Sequence, residues 1–411
     1  MLPALRLALV GFAAVSVGLP IVFISAAKFT LFVGASILLI LESRAKERPS
    51  PLQGMWLPIA ILAALAFMAL SMLWTSASAQ QAAHALAKHA KLLTIPILIT
   101  LIRSRREAMV ALTLYVAAQL LLLGGSYLLV LGVPLPWLPE RNPDRTYALF
   151  SSYLDQSVIT AIFAALCWHL RHLVRLKGWR HLPVLVSGLA LICVVFVFQG
   201  RTGHLVAVVM LSLVIMWELP RQWRFAALAS PLLVLAALSA SSEKVHSRFS
   251  LLSNEVQAFA SEGVINSSSG LRLNLWHRAT QSIATHPLVG SGVGSWGHEF
   301  AQLERSQGSD PSVDIRANPH QEYLLWGVEL GALGLVLLLA ILVSAWHDSL
   351  RVERDVRRAQ QSVIVGLGVA ALFNCTLYDA LIGDFFCVAL GLLMALGRHT
   401  PSSRPALTET R

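Results

Sequence analysis

Residues 316–335 read Arg316-Ala-Asn-Pro319-His320-Gln-Glu322-Tyr-Leu-Leu-Trp-Gly-Val-Glu329-Leu-Gly331-Ala-Leu-Gly334-Leu. A polar, basic approach ends at Pro319, and an apolar run reaching to about residue 346 starts within a few residues. The run is long enough to cross the hydrocarbon of a bilayer, which takes about 20 apolar residues. A histidine and two acids at the lip of such a run are costly to keep there, so they serve a purpose. This stretch sets the class of the chain: apolar helices in a membrane, with polar chemistry gathered where one of them begins.

The rest of the sequence agrees. Of 411 residues, 56% are hydrophobic and only 13% charged, far too apolar for a soluble domain. Candidate spans lie near 5–25, 26–43, 55–74, 84–102, 107–131, 155–170, 182–199, 203–219, 225–241, 323–346, 361–379 and 382–397. The expected fold is therefore an all-α polytopic membrane protein of about 12 transmembrane helices. Helices one to nine occupy 1–241, with an outer loop near 132–155. A large helical outer loop covers 242–322, the last three spans 323–397, and a polar tail 398–411. The first span reads as a retained helix and not a cleaved signal, because only Arg6 precedes it and a second span follows at once. Cys167, Cys193, Cys375 and Cys387 all fall in apolar spans and read as small packing residues.

Lysine and arginine in the short loops set the orientation. With twelve spans threaded, 20 of the 32 basic residues fall on one side, which puts both termini in the cytoplasm. The exceptions are informative. Lys28, Lys88 and Lys91 begin apolar runs on the outer side, and Arg201 sits in an outer loop of a few residues. His84, Lys88 and Lys91 are spaced four and three apart and share one helix face. Cations at the outer mouth of a bundle point to an anionic ligand such as a diphosphate.

Within the large outer loop, Leu273, Trp276, Ala279, Thr280 and Ile283 recur at helical spacing, and Pro287 stops the run. The pattern predicts a helix at about 271–285, with Trp276 at headgroup level and Arg272 in the first turn, where an anion can also meet free backbone N–H groups. The run Gly290-Ser-Gly292-Val-Gly294 follows a proline and not a parallel strand, so it reads as a tight turn and not a nucleotide loop. Arg201 stands in a glycine hairpin between two short spans, placed to grip a ligand oxygen. His320 can take a proton near neutral pH, its ordinary pKa being about 6.5. Glu322 and Glu329 are positioned to orient it, although Glu329, deeper in the span, suits a structural ion pair with a neighbouring helix. Asp155-Gln156 and Tyr378-Asp379 end other spans on the same side. A base and cations, without metal-ligand spacing, suit attack by a hydroxyl on a carbon that already carries a good leaving group.

The order of these motifs resembles the O-antigen ligase and polymerase superfamily of bacterial membrane glycosyltransferases. The resemblance is carried by the Arg201-Thr-Gly hairpin, by Gly270-Leu-Arg272…Trp276…Ala279…His286-Pro287-Leu288…Gly290-Ser-Gly292-Val-Gly294, and by Pro319-His320…Leu324…Glu329-Leu-Gly331…Gly334-Leu. Gln321 departs from the asparagine or serine usual after the histidine. The resemblance implies transfer of a polysaccharide from undecaprenyl diphosphate to a sugar hydroxyl of lipid A core, in the bacterial inner membrane and at its periplasmic face. It implies inversion at the anomeric carbon without metal, nucleotide, nucleic acid or other cofactor. His320 would be the general base, and Arg201 and Arg272 would hold the diphosphate with Arg145, Lys88, Lys91 and Lys28. Arg141, Glu322, Tyr147, Gln156 and Trp276 complete the candidate substrate-binding set. The alternatives are an O-antigen polymerase or a protein O-oligosaccharyltransferase and, from a different class, a membrane transporter.

Overall fold

The apolar segments fold as helices, and serine, glycine and proline set where they stop. The computed structural model of the chain describes residues 2–43, 50–136, 138, 147–174, 177–226, 229, 268–306 and 318–399. Among these residues there is no strand. The amino-terminal helices are α1 (Leu2–Ser16), α2 (Ile21–Ser43), α3 (Leu57–Ser71), α4 (Ala79–His89), α5 (Thr94–Leu101) and α6 (Arg105–Val130). Next come α7 (Tyr153–His169), α8 (Leu182–Ile192) and α9 (Arg201–Glu218). The rest are α10 (Ser268–Thr285), α11 (Trp296–Ser306), α12 (Glu322–Ser349), α13 (Arg354–Ala370) and α14 (Ala380–Arg398).

Five of these are long and apolar enough to cross a membrane: the Ile21–Leu41 part of α2, then α6, α9, α12 and α14. Leu2–Ser16, Leu57–Ser71 and Leu182–Val197 are shorter apolar helices. The expected span near 225–241 lies mostly outside the described residues, as do 242–267, 307–317 and the tail after His399. Boundaries moved in three places. The first two spans break at Gly18–Pro20, where a Cβ on Gly18 would meet the Ala118 carbonyl oxygen at 2.5 Å. This break carries Lys28 into the second turn of α2. The span near 84–102 is jointed, α4 passing through a 3₁₀ turn (Ala90–Leu93) into α5. The span near 361–379 begins earlier and ends at Ala370, which leaves 371–379 as a loop.

Helix α14 forms the centre. Every residue from Leu381 to Gly397 is buried, as expected of a helix apolar on all sides. It packs against α5, α6, α7 and α13, while α12 packs on α3 and is crossed by α10. By contrast, α2 exposes Val22, Phe29 and Ile40, a lipid-facing surface.

Helix α12 is kinked at Gly331 (φ 64°, ψ −152°), where backbone groups would be orphaned at membrane depth. The glycine turn supplies their partners. Ala332 N donates to Pro287 O at 2.8 Å and Leu333 N to Leu288 O at 3.2 Å. In return Ser291 N donates to Val328 O at 2.9 Å and Gly292 N to Glu329 O at 2.8 Å. Broken helices are tolerated in a membrane only when the freed groups are satisfied in this way. Gly292 has φ 90° and rests on the backbone of Thr75, so no side chain fits there. The tight-turn reading of the glycine run agrees with this geometry.

Candidate active site

His320 stands in the short turn that feeds α12, with φ 52°, a left-handed conformation that non-glycine residues rarely adopt. That conformation costs about 1–2 kcal/mol and persists where neighbours over-determine it. Asn318 is the neighbour responsible. Its Oδ1 accepts the His320 N–H at 2.9 Å, and its Nδ2 donates to Asp379 Oδ1 at 3.0 Å. The imidazole is half-buried. Burial, and secondarily the charge of Arg272, lower its pKa from the ordinary value. At neutral pH the ring is therefore neutral and able to accept a proton.

Arg272 lies in the first turn of α10 and Arg201 is the first residue of α9. Burial and the nearby Arg201 charge both lower the Arg272 pKa, as expected of two cations held close. Arg201 Nη1 donates to Ser269 Oγ at 3.1 Å, which ties the two helix starts together. Arginine side chains are cations with donors only. Holding them side by side at two helix N-termini is unfavourable until an anion joins them. The approach to Arg201 is built for close packing. A π-helical turn, Cys193–Val197, ends α8, and Gly200 and Gly203 sit against Ser157 of α7 where a Cβ would collide.

The opposite wall is the loop 371–379, and Glu322 holds it. This fully buried carboxylate accepts from Trp326 Nε1 at 2.9 Å, Leu377 N at 2.8 Å and Tyr378 N at 3.3 Å. Glu322 thus fixes the loop; the residue that holds the His320 backbone is Asn318. Lys88 Nζ lies 4.1 Å from the centre of the Tyr378 ring. Asp379 is pushed up to about 7, chiefly by burial and then by the Asp155 and Glu322 charges, against the pull of Lys91 and Lys88. Its protonation is poised near neutrality, as is common at functional sites.

The structure brings together His320, Arg272, Arg201, Asp379 and Lys88 from five separate elements. Other residues expected at the site are committed elsewhere. Lys28 pairs with Asp384 at 2.7 Å, and buried Lys91 donates to the Tyr378 and Asp379 carbonyls at 3.2 and 2.6 Å. Gln156 accepts from Leu149 N at 2.8 Å and donates to Ser126 Oγ at 2.9 Å, locking the approach to α7 beside half-buried Tyr147. The Trp276 ring packs 6.4 Å from Phe373 of the 371–379 loop. Arg141, Arg145 and Arg316 lie outside the described residues. Glu329, for which a structural ion pair was expected, has His89 Nε2 3.5 Å from its Oε2 without hydrogen-bond geometry, and its Oε1 accepts from Gly294 N at 3.0 Å. Asn318 is the residue that sequence reading passed over. The signal was present, because asparagine two residues before a left-handed position is a turn former.

Fold and site together define a helical membrane protein in which a half-buried histidine stands near two arginines at helix starts. Residues 186–339, from α8 to the middle of α12, match the family model described as O-antigen ligase, a match consistent with the O-antigen ligase/polymerase superfamily. The matched segment contains Arg201, Arg272 and His320. No curated protein matches the chain. Among solved structures, a chain from work on the structural coordination of polymerization and crosslinking by a peptidoglycan synthase complex is 17% identical. That likeness covers 83% of this chain and 96% of the other at a TM-score of 0.45, too low to carry an argument.

Proposed function

We propose that this protein is an O-antigen ligase. It moves a polysaccharide from undecaprenyl diphosphate to a sugar hydroxyl of lipid A core at the periplasmic face of the bacterial inner membrane, both termini being cytoplasmic. The observation that carries this reading is the placing of Arg272, with Arg201 beside it, close to a left-handed, half-buried His320. The imidazole takes the proton of the acceptor hydroxyl as its oxygen bonds to the anomeric carbon from the face opposite the diphosphate. The bond from that carbon to the phosphate oxygen breaks, and undecaprenyl diphosphate leaves with the electron pair. The two guanidiniums meet the charge that grows on the leaving group, where preorganised donors contribute most. Lys88 lies near enough to assist, while Lys28 and Lys91 shape the wall through their own partners.

A polymerase would use the same machinery with a second lipid-linked glycan as acceptor. The deciding experiment mixes purified protein, an undecaprenyl-diphosphate-linked glycan and lipid A core in detergent with EDTA. Glycan-bearing lipid A is the expected product. Lengthening of the glycan on its own carrier would select the polymerase, and a requirement for divalent metal would overturn the mechanism.

A further inference from the structure

The end of the bundle remote from His320 holds a second feature that glycan transfer does not use. A groove of about 420 Å³ runs between α7, α8 and α9 and is lined almost entirely by apolar atoms. Its floor is made by Ala164, Ser187 and Gly188, whose small side chains leave the space. Ser187 Oγ donates to Ala164 O at 2.8 Å, so its hydroxyl does not draw water into the groove. Along α9 the lining runs from Met210 to Glu218, a rise of about 12 Å at 1.5 Å per residue. The hydrocarbon is about 30 Å thick, so the groove is nearly one leaflet deep.

The mouth of the groove is basic. Glu218 Oε1 is shared between Arg171 Nη2 at 3.2 Å and Arg358 Nη1 at 3.4 Å, and Trp168 Nε1 also reaches it at 3.4 Å. The Arg171 guanidinium lies 4.4 Å from the centre of the Trp168 ring, which itself lines the groove. One carboxylate between two guanidiniums leaves a positive excess above an apolar slot. Arg354 and Asp355 flank Arg358 with opposite signs, so they leave that excess in place. We propose that this groove binds one anionic phospholipid of the adjoining leaflet, an acyl chain in the slot and the phosphate on Arg171 and Arg358. Basic pockets between membrane helices recognise anionic headgroups in this manner. The inference depends on the chain spanning a membrane and is independent of the reaction at His320.

The test uses the full chain, reconstituted with phosphatidylcholine and a minor fraction of phosphatidylglycerol, then extracted and weighed intact by native mass spectrometry. One retained phosphatidylglycerol per protein, in preference to phosphatidylcholine, is expected. Arg171→Ala should lower that retention about fivefold, the effect of one arginine near an anionic surface. Gly188→Leu should abolish it; a Cβ there meets nothing within 4 Å, so the fold accepts the change and the slot is filled. Glu218→Gln should raise retention by removing the competing carboxylate, whereas a merely structural cluster would lose lipid along with its ion pairs. Equal retention of the two lipids, a loss with Glu218→Gln, or one-for-one displacement of phosphatidylglycerol by undecaprenyl phosphate would overturn the proposal.

Discussion

Replacing His320 with asparagine should abolish glycan transfer and leave the protein as stable as before. The reasoning starts from the φ of 52° at this residue. A left-handed conformation costs about 1–2 kcal/mol for an ordinary side chain, and asparagine is among the few residues that adopt it readily. His320→Asn therefore gains up to about 1 kcal/mol of relieved strain. It loses about as much from the buried part of a half-exposed ring. The two nearly cancel, and the melting temperature in detergent, read by tryptophan fluorescence, should move by no more than about 2–4 °C. His320→Ala keeps the strain and loses the ring, so it should melt below both. Transfer by either variant should fall to background, because neither side chain can take the proton. Transfer by His320→Asn at the wild-type rate would remove the general-base role. A melting point lowered as far as by a core truncation would make the ring a packing element, and its inactivity would then say nothing about chemistry.

Four further outcomes follow from the same geometry. Activity should rise with pH through the His320 pKa, which lies below the ordinary histidine value, so kcat/KM should be flat by neutrality. Arg272→Gln removes one cause of that lowering and should move the acid limb to higher pH in the residual activity; an unmoved limb would separate Arg272 from the base. Arg201→Lys should lower kcat/KM about tenfold to a hundredfold, because one charged hydrogen bond of a bidentate grip is worth about 1.5–3 kcal/mol; full activity would mean that charge alone matters. Asn318→Ala removes the acceptor for the His320 N–H and the link to Asp379, and kcat should fall about tenfold with KM little changed. Unchanged kcat would show that the turn holds His320 without it.

What could be read from sequence was what lies along one dimension. Hydropathy located the apolar helices, and Arg201, Arg272 and His320 stood out because each breaks an apolar or glycine-rich context within its own few residues. Partners across the fold could not be read. Lys28 resembled a ligand-binding cation at a helix start until the break at Gly18–Pro20 moved it into α2, facing Asp384, a residue 356 positions away. The two acids of the opening stretch show the physical reason most clearly. An ionisable group in a membrane helix is expensive, and the expense pointed to a purpose, orienting His320 or pairing with a neighbouring helix. Here it is offset by holding non-helical backbone at depth. Glu322 accepts the amides of Leu377 and Tyr378, and Glu329 accepts Gly294 N at 3.0 Å while its carbonyl takes Gly292 N. One helical segment therefore carries the 371–379 loop on one acid and the glycine turn on the other, with His320 at its head. The two acids hold the two irregular segments in place, and His320 stands at the head of the helix that carries both.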